Sequence, residues 1–189
     1  LQGIEPMASI APRVQDPPQA LQQSLMNLFI QGQLKQALEQ ATTLLQQFPN
    51  SSGLYNICGA VYKRLGQLDA SVEAYTQAIA IKPDYAEVYY NMGIALQEQG
   101  KLEEAIVIFN KALAIKPDFA EAYNNMGNAL KEQGTLEEAI KAYNKALTIK
   151  PDYIQAYNNM GIALHDQGKL GEAIEAYTKA LAIKPDYAE

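Results

Sequence analysis

The side chains in this sequence best suited to recognition chemistry are amides that return at a fixed interval. Asn91, Asn125 and Asn159 stand 34 residues apart, and beside them run Asn124 and Asn158, with Asn56 two intervals upstream of Asn124. A side-chain amide donates and accepts hydrogen bonds at once, so a periodic row of them can pair with the backbone of an extended peptide with little regard to its side chains. The competing reading is structural, since the same groups can bond a neighbouring segment of the chain.

Other chemistries lack the residues they need. His165 is the only histidine and Cys58 the only cysteine, so a His-based metal site, a His-centred triad, an internal disulfide and a Cys-based metal site all lack a second member. Glu103-Glu104 and Glu137-Glu138 read as carboxylates in the first turn of a helix, where they complement its dipole, rather than as a paired acid and base. No glycine-rich phosphate loop occurs, because every recurrent glycine falls at a turn or a packing position. The chain reads as no enzyme and calls for no cofactor. A formal charge of −6 argues against a nucleic-acid partner, which would require a basic footprint. No apolar run approaches the roughly 18 residues of a membrane span, and the start lacks the order of a signal peptide, so a soluble, cytoplasmic protein without a membrane partner is expected.

What positions the amides is a repeat. Lys82-Pro83-Asp84-Tyr85 returns as Lys116-Pro117-Asp118-Phe119, Lys150-Pro151-Asp152-Tyr153 and Lys184-Pro185-Asp186-Tyr187, each 34 residues after the last. A fixed period of this size marks a stack of small units rather than one closed globular core. The units run 18–51, 52–85, 86–119, 120–153 and 154–187, with 188–189 opening another and 1–17 forming a flexible tail, of which Leu1–Pro6 precede a candidate start at Met7. Position 15 of every unit is Gly and position 32 is Pro; between them lie two stretches with apolar residues at helical spacing. Each unit is therefore a helical hairpin, helix A then helix B. Asp84 with Glu87, Asp118 with Glu121, Asp152 with Gln155 and Asp186 with Glu189 have the spacing of capping boxes at the start of helix A. Gly59, Gly93, Gly127 and Gly161 fall mid-helix, where Gly costs about 1 kcal/mol relative to Ala, so a close approach of helix B through its recurrent alanines is expected there. Tyr75, Phe109, Tyr143 and Tyr177 at position 24, like Tyr55, Tyr89, Tyr123 and Tyr157 at position 4, read as core, and Cys58 as a buried thiol.

The pattern of an aromatic at 4, a large apolar residue at 7, Gly at 8, Leu or Tyr at 11, Ala at 20, an aromatic at 24, Ala at 27 and Pro at 32 resembles the tetratricopeptide repeat, over about nine tenths of the chain. The first unit departs from it, with Leu25 at 8 and Ala41 at 24, as expected of a terminal unit. The resemblance implies an all-α fold, a right-handed α-solenoid of stacked helix-turn-helix units whose concave groove is lined by helix A and binds a protein or peptide. Carried over by position, the groove residues are Asn56, Tyr90, Asn124 and Asn158 at 5, Asn91, Asn125 and Asn159 at 6, Asn128 at 9, and Lys63 and Lys131 at 12. Asn124, Asn128 and Asn158 are expected to be open to a ligand. Asn91, Asn125 and Asn159 stand between a ligand and the neighbouring helix.

The asparagine row is similar to the repeat arm of O-linked N-acetylglucosamine transferases and related bacterial proteins, which implies as an alternative the substrate-recruiting arm of a glycosyltransferase or sulfotransferase within a longer protein. The carboxylate clamp of other members is not matched, because positions 5 and 6 hold no basic residue in any unit. A third alternative is a self-assembly scaffold, with association through an uncapped C-terminal end.

Overall fold

The structure, a computed structural model, describes residues 16–184. Among them the chain forms ten helices and no strand: α1 (Gln19–Ile30), α2 (Leu34–Gln47), α3 (Ser52–Arg64), α4 (Leu68–Ile81), α5 (Ala86–Glu98), α6 (Leu102–Ile115), α7 (Ala120–Glu132), α8 (Leu136–Ile149), α9 (Ile154–Asp166) and α10 (Leu170–Ile183). Each odd-numbered helix is a helix A and each even-numbered one a helix B, so the units are five hairpins. Each helix packs on its neighbour in sequence. Successive helices A also approach one another within 8 Å between Cα atoms, whereas successive helices B do not. The stack therefore curves with the odd-numbered helices on its inner face, and the product is an α-solenoid.

Local chemistry explains the boundaries. Helix A ends at a glycine with positive φ, from +73° at Gly66 to +88° at Gly134, a conformation that costs a side chain energy. At Gly66 the amide bonds to the Lys63 carbonyl and the Gln67 amide reaches back to that of Tyr62, a paired closure that satisfies carbonyls the helix leaves open. The same pair of bonds recurs at Gly32, Gly100, Gly134 and Gly168.

The starts of the helices differ from the capping-box expectation. The residues flanking α5, α7 and α9 are Tyr85, Phe119 and Tyr153, and no side chain caps these helices. The aromatic of Lys-Pro-Asp-Tyr takes the cap position, which pushes Asp one residue too far out to reach the helix amides. Glu87 and Glu121 turn instead to the end of helix B in their own unit, pairing with Lys116 at 3.4 Å and Lys150 at 3.8 Å. Those lysines also lie over the aromatic three residues on, 4.6 Å from the Phe119 centroid and 4.9 Å from that of Tyr153, as Lys82 lies 4.7 Å from Tyr85. A side-chain cap occurs where the motif is broken: Ser51 Oγ accepts the Leu54 amide at 3.2 Å and donates to Asp16 at 2.5 Å. Asp16 and a buried Pro17 therefore pack on the first units rather than belonging to a free tail. The rest of the expected tail, the pair Asp186 and Glu189, and the opening of a further unit lie outside the described residues.

Close approach of helix B at the mid-helix glycines is present, and aromatic rings rather than alanines make it. A Cβ on Gly59, Gly93, Gly127 or Gly161 would sit 2.5–2.6 Å from the nearest ring carbon of Tyr75, Phe109, Tyr143 or Tyr177. Tyr75, Phe109 and Tyr143 are fully buried, while Ala78, Ala112 and Ala146 fill the core one turn along. Truncating a ring buried in this way costs about 3–5 kcal/mol, which exceeds the helix propensity lost at glycine.

Candidate functional site

The inner face carries every amide singled out by spacing, and most of them are already engaged. Asn91 Nδ2 donates to Asn56 Oδ1 at 3.1 Å, Asn125 Nδ2 to the Tyr90 hydroxyl at 3.1 Å and Asn159 Nδ2 to Asn124 Oδ1 at 3.0 Å. Position 6 of the third, fourth and fifth units thus bonds position 5 of the unit before, forming a polar seam along this part of the solenoid. Asn124 Nδ2 also donates to Asn125 Oδ1 at 3.2 Å. With both its groups used and only 4% of its surface exposed, Asn124 is a buried member of this seam and not an open side chain. Asn128 is half-buried and accepts the Tyr143 hydroxyl at 2.8 Å. Each of these bonds satisfies a polar group that burial would otherwise penalise.

Positions 12 and 13 form a second seam. Lys63 Nζ lies 3.3 Å from Glu98 of the next unit, and Gln97 Nε2 donates to Glu132 at 2.6 Å. Spacing alone did not indicate this pairing, because the partners are 35 residues apart, one step off the repeat period. The side chains of Asn158 and Lys131 are half-buried and have no hydrogen-bond or ion-pair partner among the described residues. Tyr90 packs against Phe119, with ring centroids 4.7 Å apart, and its hydroxyl is raised above the usual phenol range by burial first and by the charge of Glu121 second. It is therefore held neutral.

One concavity stands out on this face. A cavity of about 370 Å³ opens between α1, α3 and α5, lined by Asn56, Lys63, Arg64, Tyr75 and Asn91 together with the small Ala60. Arg64 Nη1 donates to the Phe29 carbonyl at 2.7 Å, and the guanidinium lies 4.8 Å from the Phe29 ring centroid, so this arginine is fixed at the rim. Tyr75 is core, as its spacing indicated: it is fully buried, with its hydroxyl beside the Ser71 side chain four residues before it. Cys58 is buried, its thiol pushed up to about 11 by desolvation, so no nucleophile is available there. No group of histidine, cysteine and carboxylate side chains among the described residues could hold a metal, and no described helix is long and apolar enough to cross a membrane.

Comparison with known proteins agrees with this architecture. A TPR repeat family model matches residues 59–100, 95–134 and 127–168, and a tetratricopeptide repeat model matches residues 154–187. No curated protein matches in sequence. Among solved structures, MamA is 27% identical over 86% of this chain and 95% of its own, with a TM-score of 0.79. MamA from Desulfovibrio magneticus RS-1 is 19% identical over 90% of this chain and 96% of its own, with a TM-score of 0.80. YrrB, described as a TPR protein with an unusual peptide-binding site, is 20% identical over 90% of this chain and 88% of its own, with a TM-score of 0.72. The last two likenesses speak to the fold alone. The repeat models together span residues 59–187, the stretch in which glycine turns, ring-against-glycine packing and inner-face seams recur unit by unit, and the chain belongs to the tetratricopeptide repeat family, as a protein–protein interaction module.

Proposed function

We propose that the inner face binds an extended segment of a partner protein laid across α3, α5, α7 and α9. The observation that supports this is the unused half of the amide seam. Asn56 Nδ2, Asn91 Oδ1, Asn159 Oδ1 and both polar groups of Asn158 have no partner among the described residues, although all four side chains are half-buried. Donors and acceptors presented in this way match the alternating N–H and C=O groups of an extended backbone. YrrB, with its peptide-binding site, provides a fold-level parallel.

The test uses Asn158→Ala with Lys131→Ala, two positions without an internal partner. Against an extended peptide selected from a random-sequence display library, the pair is expected to weaken affinity about tenfold or more, the loss of one or two hydrogen bonds. The far-ultraviolet circular dichroism should be unchanged. Equal affinity of variant and parent would refute the reading.

A second reading, self-association through α10, rests on the exposed Leu170 (57%) and Ile174 (66%). Their counterparts Leu102, Ile106, Leu136 and Ile140 are half-buried. Sedimentation should show association that rises with concentration and is lost in Leu170→Glu with Ile174→Lys; a monomer at every concentration would exclude it.

A further inference from the structure

We propose that the outer face, opposite the amide seam, carries a second docking site: the groove between α6 and α8 takes an amphipathic helix of a partner protein, which sets a large apolar side chain into the groove and acidic side chains against Lys141 and Lys145. The groove holds a cavity of about 300 Å³. Tyr123, Met126 and Leu130 of α7 form its floor, and Ile106 and Asn110 of α6 face Ala142 of α8 across it. This floor is covered less well than its equivalents. Leu130 is half-buried, whereas Leu96 and Leu164, at the same position of the neighbouring units, are 2% and 3% exposed. At position 23 the third unit has Ile108, which packs on the cluster containing Leu96, but the fourth has only Ala142. The fifth unit also has alanine there, Ala176, yet Lys179 lies over the Tyr157 ring, 5.9 Å from its centroid. Tyr123 has no such cover among the described residues. The chain thus leaves open in the fourth unit an apolar recess with room for a leucine or phenylalanine side chain, whose burial would remove the exposed floor from water.

The charges at the rim choose the partner. Lys141, Lys145 and Glu138, all exposed, complete the lining. Position 22 is Glu73, Val107, Lys141 and Glu175 in successive units, and position 26 is Gln77, Lys111, Lys145 and Lys179, so the fourth unit alone has lysine at both. The two lysines stand one turn apart on α8, and neither has a hydrogen-bond or ion-pair partner among the described residues. Glu138 lies towards the start of α8, so the rim has one surplus positive charge, gathered at the far half of the groove, in a chain whose net charge is −6. An acidic partner is matched there and a basic one is repelled. Exposed ion pairs are individually weak, so the apolar side chain supplies most of the affinity while the lysines set orientation and selectivity. The channel runs between two helices, and a helix fills such a channel with anchors at i and i+4.

The experiment titrates the peptide acetyl-Ser-Ala-Gln-Leu-Ala-Gln-Ala-Leu-Ala-Gln-Glu-Glu-Ala-Gln-amide into the full chain, followed by nuclear magnetic resonance of methyl and side-chain amide groups. Two counterparts are compared with it, one with Lys for both Glu and one with Ala for both Leu. The acidic peptide is expected to bind about tenfold more tightly than the Lys peptide, a preference that high salt removes, and about tenfold or more tightly than the Ala peptide. The shifts should fall on the methyl groups of Ile106, Met126, Leu130 and Ala142 and spare the side-chain amides of Asn56, Asn91 and Asn158. Ala142→Ile, which copies Ile108, should fill the recess and weaken the acidic peptide about tenfold. Lys141→Glu, which copies Glu175 at an exposed position, should abolish the preference over the Lys peptide while melting as the parent does. Failure of the acidic peptide to bind, equal affinity for the acidic and Lys peptides, shifts confined to the inner face, or affinities unchanged in both variants would each overturn the proposal, and none of these results removes the inner-face reading, which has its own test.

Discussion

Substituting alanine for glycine at three kinds of position should move stability in opposite directions. At Gly127 the gain in helix propensity is about 1 kcal/mol. The new Cβ would lie 2.5 Å from Tyr143 Cε1, nearly 1 Å inside ordinary contact. That ring cannot retreat, since it is fully buried and its hydroxyl is tied to Asn128 at 2.8 Å. Overpacking of this kind costs about 1–3 kcal/mol, so Gly127→Ala is expected to lose up to about 2 kcal/mol net, a fall in melting temperature of up to about 8 °C. Gly171, in the first turn of α10 with nothing within 4 Å, should instead gain up to about 0.5 kcal/mol as alanine. Gly100 also has open space, but its φ of +75° imposes a left-handed conformation on any side chain, so Gly100→Ala should cost about 1–2 kcal/mol through the backbone. Urea unfolding measures all three, and Gly127→Ala repeated in a Tyr143→Leu background tests the cause, because the smaller side chain should turn the loss towards a gain. If Gly127→Ala stabilised the parent as Gly171→Ala does, the account of the glycine–ring contact would be wrong.

Other consequences are more local. Asn124→Ala should destabilise by about 1–3 kcal/mol in urea, since it leaves Asn159 and Asn125 each short of a partner in a half-buried seam, whereas Asn158→Ala should stay within about 0.5 kcal/mol. Stability should decline at high pH. Cys58 is pushed up to about 11 and Tyr153 to about 12, so the unfolded chain gives up these protons first; their contribution is intact below about pH 9 and is lost as pH rises through 11 and 12. Absorbance of tyrosinate followed with circular dichroism should show a late ionisation coincident with unfolding. At pH 8, Cys58 should react with Ellman's reagent only when urea opens the fold. Glu121→Gln should change stability by less than about 1 kcal/mol, because its pair with Lys150 is solvent-exposed on both sides.

The sequence by itself determined the unit and its core. A period of 34 residues, with Gly at position 15 and Pro at position 32, defines ten helices before any contact is known, since left-handed φ and a missing N–H act on the chain locally. Burial of the aromatics at position 24 follows from the same register, and Tyr75, Phe109 and Tyr143 are fully buried. Tertiary structure decided what each side chain meets in the next unit. The inner-face partners, Asn91 with Asn56 and Lys63 with Glu98, are offset by 35 residues, and that extra step comes from the rotation and rise between hairpins. A repeat period has no record of that geometry. For the same reason the row of amides could be read from spacing while its division into bonded and unbonded halves could not. It took the packed stack to show that the Tyr143 hydroxyl finds Asn128 of its own unit.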